Sequence, residues 1–133
     1  LDGLMIVRIV LMGAVMMVGS MFVFITYSAT SPGKAITALL TVLAIYQWFN
    51  AWNCRSARAL LTRRHHSPNW YLAAGVLVAL GLQIALVHTS LMQKLFNTVS
   101  LSLNDWLYLT AIAFSIVIVE EVRKLLRFSS ATA

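Results

Sequence analysis

The sequence predicts an all-α, multi-pass membrane protein, a bundle of four transmembrane helices with both termini in the cytoplasm. Three observations predict it. Of the 133 residues, 60% are hydrophobic and 11% are charged, against roughly 45–50% and 25% in soluble domains. There are too few charged side chains to wet the surface of a water-soluble globule, which disfavours a soluble enzyme, a disordered tail and a coiled coil. The apolar residues gather into four helix-length runs. The Lys and Arg residues then fall unevenly among the segments that separate the runs.

The first run is free of charge from Ile9 to Gly33, and its apolar part predicts a helix over about 4–27. It is too long for a signal peptide and lacks both an early basic cluster and a small-residue cleavage site. Ser28 to Gly33 (SATSPG) is a turn cluster. A second run predicts a helix over about 35–54. Ser67-Pro68 sets an N-cap serine before a proline at the first helical position and opens a third helix over about 69–88. Ser102-Leu-Asn-Asp105 fits a capping box, with Asp105 at the positive end of a fourth helix over about 103–126. No run shows the period-2 alternation of a strand, and helices satisfy their own backbone groups in lipid. The four helices are expected to form one membrane domain over residues 1–133.

Orientation follows from the basic residues. With four crossings, Arg8, Arg55, Arg58, Arg63, Arg64, Arg123, Lys124 and Arg127 share one side and Lys34 and Lys94 the other. That excess marks the first side as cytoplasmic. The net charge of +6 is thus a topology signal, and no nucleic-acid partner is expected. Trp70, Tyr71, Trp106 and Tyr108 lie near helix starts, where interfacial aromatics collect.

Polar residues inside a membrane are costly and are functional candidates. The richest stretch is the inner half of the second helix, Tyr46-Gln-Trp-Phe-Asn-Ala-Trp-Asn-Cys-Arg-Ser56. Gln47 and Asn50 are three apart and face the same way. They suit either a wall of a cation path or interhelical hydrogen bonding. Gln83 suits a single interhelical bond. Glu120 and Glu121 precede Arg123 and Lys124 at the spacings that form ion pairs at a helix end. His65 and His66 are adjacent on a basic loop, a poor metal site without further ligands. The single cysteine, Cys54, excludes an internal disulfide and reads as a small packing residue. No metal site and no catalytic constellation is expected.

The segment from Gln47 to Ser56 resembles the eighth-helix signature of P-type cation-transporting ATPases, a Q-x-F-N-A-x-N-x-R-S pattern of the calcium-pump branch. It carries Gln47, Asn50, Asn53, Arg55 and Ser56. Ser100 to Leu107, with Asp105 and Trp106, and Val119 to Lys124, with Glu120, Glu121 and Lys124, resemble the start and finish of the family's tenth helix. The resemblance covers nearly the whole chain, as helices seven to ten.

It implies the C-terminal membrane portion of an ATP-driven pump for Ca²⁺ or a related divalent cation. This portion would buttress the ion-transport site and would not be catalytic alone. ATP and Mg²⁺ are implied for the parent pump, with no cofactor in this chain. Its partners would be the lipid bilayer and the remainder of the pump, helices one to six with the cytoplasmic phosphorylation and nucleotide-binding domains. Gln47 stands where some calcium pumps place a glutamate ligand, and a neutral amide is the weaker ligand for a hard cation. The expected location is multi-pass in a bacterial plasma membrane. The alternative is a self-standing four-helix scaffold or accessory subunit.

Overall fold

The computed structural model describes residues 3–54 and 70–131. Within them the chain is helical, with five helices in the order α1 (Gly3–Ser28), α2 (Pro32–Cys54), α3 (Trp70–His88), α4 (Ser90–Phe96) and α5 (Leu103–Ala131). Three of these, α1, α2 and α3, are long and apolar enough to cross a membrane. α5 is the longest at 29 residues, and it carries Asp105, Glu120 and Glu121 along its length.

The ends of the helices follow local chemistry. The amides of Thr30 and Ser31 both return to the Tyr27 carbonyl, at 3.0 and 3.1 Å, and close α1 at the expected turn cluster. α2 begins at Pro32, ahead of the expected 35, because proline is preorganised for the first helical position and lacks only an N–H that would be unsatisfied there. The reciprocal box at the start of α5 is formed. The Ser102 amide donates to Asp105 Oδ2 at 2.9 Å and the Asp105 amide to Ser102 Oγ at 3.2 Å. α5 then continues past the expected 126 to Ala131. The short helix α4 had no counterpart in the expected four. It ends at Asn97, whose left-handed backbone (φ 52°) is one that asparagine tolerates better than most residues.

α1, α2 and α5 form the packed core. α2 presents Ala35, Ala38, Val42, Ile45 and Tyr46, and α5 presents Leu109, Ala113 and Ile116, all buried. Small residues recur along these faces and let the backbones approach closely, as packing between membrane helices requires. α3 is different, since Val87 is its one buried residue. It is joined to α4 at a tight corner, where Gln93 Nε2 donates to the Val87 carbonyl at 2.6 Å and Thr98 Oγ1 to the Leu86 carbonyl at 2.8 Å.

Candidate functional site

α2 places the amide-rich stretch along one side of the core. Asn53 is buried, and its side-chain N–H donates to the Ile116 carbonyl of α5 at 3.5 Å. Asn50 is half-buried, with the Cys54 thiol directed at its Oδ1 from 4.0 Å. Gln47 is exposed, and no hydrogen bond engages it among the described residues. Gln47 lies on an outward stripe with Ile36, Leu40, Leu43 and Cys54, all exposed, and with the half-buried Asn50. This stripe recurs at three- and four-residue spacing, and its last member, Cys54, meets a side chain of α1, Arg8. The structure therefore separates two amides that look equivalent in sequence: Asn53 bonds across the core, while Gln47 points outward. The bond expected of Gln83 is present, from its Nε2 to Thr41 Oγ1 of α2 at 3.0 Å.

The charged residues gather at the two ends of the core. At one end Glu120 is fully buried and takes two arginines. Arg123 Nε donates to its Oε2 at 2.8 Å and Arg123 Nη2 to its Oε1 at 3.0 Å, while Arg8 Nε of α1 donates to the same Oε1 at 3.0 Å. Lys124 Nζ pairs with Glu121 Oε1 at 2.9 Å. Both glutamates thus pair with basic residues three positions on, and the Arg8 partner is added across 112 positions of chain. Arg8 also approaches Cys54 Sγ at 3.5 Å, which brings the start of α1, the end of α2 and the second half of α5 together. At the opposite end Asp105 accepts from the Tyr27 hydroxyl at 2.8 Å and pairs with Lys34 at 3.0 Å. Trp106 reaches His88 of α3, with its Nε1–H donating to the imidazole Nε2 at 3.3 Å.

Arg55, Ser56, His65 and His66 lie outside the described residues. Among the described residues no group of three His, Cys, Asp or Glu side chains could hold a metal ion. Among the described residues the arrangement offers neutral carboxamides at Gln47 and Asn50, ion pairs that tie helices together, and no nucleophile held by a base.

Three residues of this network escape a reading of the sequence. Arg8, Tyr27 and His88 are single polar residues within or beside apolar runs. Their partners lie 112, 78 and 18 positions away, separations that no local spacing rule connects.

Comparison with known proteins bears on these residues together. Residues 1–126 match the family described as cation transporting ATPase, C-terminus. The chain is 33% identical over 128 residues to the calcium-transporting ATPase type 2C member 2 of Mus musculus, covering 94% of this chain and 14% of that protein. It is 31% identical over 91 residues to calcium-transporting ATPase 4, endoplasmic reticulum-type, of Arabidopsis thaliana, covering 68% of this chain and 9% of that one. A calcium-transporting ATPase 1 of Yarrowia lipolytica is 31% identical over 113 residues, covering 83% and 12%. These relatives are eukaryotic, so the expected bacterial plasma membrane finds no support in them.

Proposed function

The chain belongs to the cation-transporting ATPase C-terminal family, and on that premise we propose that it is the last membrane portion of an ATP-driven pump for Ca²⁺ or a related divalent cation. It is an integral membrane protein with at least three apolar helices. The chain spans 14% of the length of the first relatives it matches, so the pump's ATP-using parts belong to the rest of such a protein. The relatives' names supply the cation. α5 is the fourth crossing, and both termini are cytoplasmic. Supporting this, Arg8, Cys54, Glu120 and Arg123 meet at one end of the bundle, as four alternating crossings require, and among the described residues that end carries Arg8, Arg123, Lys124 and Arg127 against Lys34 and Lys94 elsewhere.

The role follows from what each helix has left over. α5 is bound to α1 at both ends by carboxylates, Glu120 to Arg8 and Asp105 to Tyr27, and Asp105 also holds Lys34 of α2, which suits a static buttress. The exposed amide of Gln47 on α2 carries the reading. The Gln47 carboxamide projects outward from a membrane helix with no hydrogen bond among the described residues. An amide in hydrocarbon without a partner is costly, so it faces a cation path or a polar surface of the pump's other helices. We assign Gln47 to the wall of that path, with Asn50 beside it, and Asn53 to helix packing.

The test is the cation dependence of ATP hydrolysis in the pump that carries this domain. Gln47→Ala should weaken apparent cation affinity roughly tenfold, about 1.4 kcal/mol, while Gln83→Ala leaves affinity unchanged. Gln47→Glu should tighten it, since a carboxylate is the better ligand for a hard cation. Equal effects of the two alanine variants would reduce Gln47 to ordinary packing.

A further inference from the structure

We propose that His88 and Trp106 form a proton-operated latch between the α3–α4 arm and the core. Among the described residues the arm makes few hydrogen bonds to the three core helices. α3 buries Val87 alone, and it meets α2 through Gln83 and Thr41. α4 is tied to α3 by Gln93 and Thr98, so the two move together, and the segment after α4 touches α2 where the Val99 amide donates to Thr37 Oγ1 at 2.9 Å. At the last residue of α3, His88 accepts the Trp106 indole N–H from α5, with the ring planes 21° apart and the centroids 6.4 Å apart.

The chemistry of that bond depends on one proton. To accept at Nε2 the imidazole must be neutral, with its hydrogen on Nδ1. Imidazoles as a class change charge between about pH 5 and 8. A protonated ring has an N–H at both nitrogens and accepts nothing, so its Nε2–H would face the indole N–H. A cation–π contact does not replace the bond, because a separation of 6.4 Å lies beyond the reach of about 6 Å for such contacts.

The surrounding charges offer no substitute either. The charged and titratable groups on the elements meeting at this end are Asp105 and Tyr108 of α5, Lys34 of α2, Tyr27 of α1 and Lys94 of α4. Asp105 is already held by Lys34, Tyr27 and Ser102. Lys34 and Lys94 add positive charge. Protonation of His88 therefore removes the bond from the end of α3 to α5 and leaves, among the described residues, the buried Val87, Gln83 and the Val99 amide holding the arm to the core.

The latch stands on this geometry alone; the compartment whose pH operates it, the non-cytoplasmic one, rests on the topology proposed above. The test is nuclear magnetic resonance of the full chain in phospholipid nanodiscs between pH 8 and 5, with the Trp106 indole signal identified by its loss in Trp106→Phe. The Trp106 Nε1–H signal should move upfield along the same one-proton curve as the His88 ring protons. It should stay fixed in His88→Gln, which keeps an acceptor and cannot titrate. A static indole while His88 titrates, or the same shift in His88→Gln, overturns the latch. If His88→Gln does not fold, the coincidence of the two wild-type curves decides. Acidifying one face of sealed vesicles separates the two readings. A response to the face carrying Arg8 and Arg123 would overturn the membrane crossing proposed for α5, which sets His88 and Trp106 on the other face, and leave the latch intact.

Discussion

Gly19 of α1 sits where the Tyr46 hydroxyl of α2 presses against the helix, and a β-carbon added there would collide with the Tyr46 hydroxyl oxygen. That hydroxyl lies 3.3 Å from both the Ile112 carbonyl and Ser115 Oγ of α5, so a single side chain touches all three core helices. Gly19→Ala should destabilise the bundle by about 1–3 kcal/mol, the range for overpacking a tight site. The check is thermal unfolding in detergent. Tyr46→Phe in the same chain should recover part of the loss, whereas additive losses would mean that the two residues do not meet. Little of this was legible in the sequence, because Gly19 is one glycine among methionines and valines, and its meaning depends on a tyrosine from another helix. Glu120 with Arg123 and Glu121 with Lys124 were legible, since both pairs follow from the geometry of a single helix. Gln47 and Asn53 were legible as polar, but which of them turns outward depends on where α5 lies.

Among the elements, α5 ties the core together by a buried carboxylate at one end and a half-buried one at the other. Glu120 holds α1 through Arg8 and its own helix through Arg123. Removing one partner of a buried pair leaves an uncompensated charge and typically costs 3–5 kcal/mol. Arg8→Ala still leaves Arg123 on Glu120, so its loss should fall near about 2 kcal/mol, while Glu120→Gln removes the charge that both arginines pair with and should approach about 4 kcal/mol. Thermal unfolding of the two variants checks the order, and a Glu120→Gln chain as stable as Arg8→Ala would show that the charge of Glu120 adds nothing beyond its pairing with Arg8. The start of α5 was readable as a capping box because N-cap chemistry is local. α4 was missed because seven residues are too few to show a helical period, and the Thr, Ser and Asn around it read as loop. The later start expected for α2 came from weighing the turn cluster above the proline within it.

The whole molecule is a three-helix core with an attached arm, and this division was hidden from the sequence. Lipid tails and neighbouring helices are equally apolar, so a helix covered by protein and a helix bathed in lipid have the same composition. α3 is as apolar as α1, yet it contributes one buried residue.

The spacing of the two carboxylates of α5 has a consequence for the bilayer itself. Asp105 and Glu120 are 15 positions apart, a distance of about 22 Å along a helix, whereas a typical hydrocarbon layer is about 30 Å thick. Both carboxylates are fastened to other helices, so α5 cannot slide to lift one cluster out without sinking the other. On the membrane crossing proposed above for α5, a thick bilayer would strain the bundle where a thin one fits. In nanodiscs of increasing acyl-chain length the stability lost by Arg8→Ala should grow, because the Glu120 cluster then sits deeper in hydrocarbon. A loss independent of chain length would place both clusters among the headgroups. Mismatch costs only fractions of a kcal/mol per ångström, but that is enough to bias a protein toward the thinner membranes of a cell.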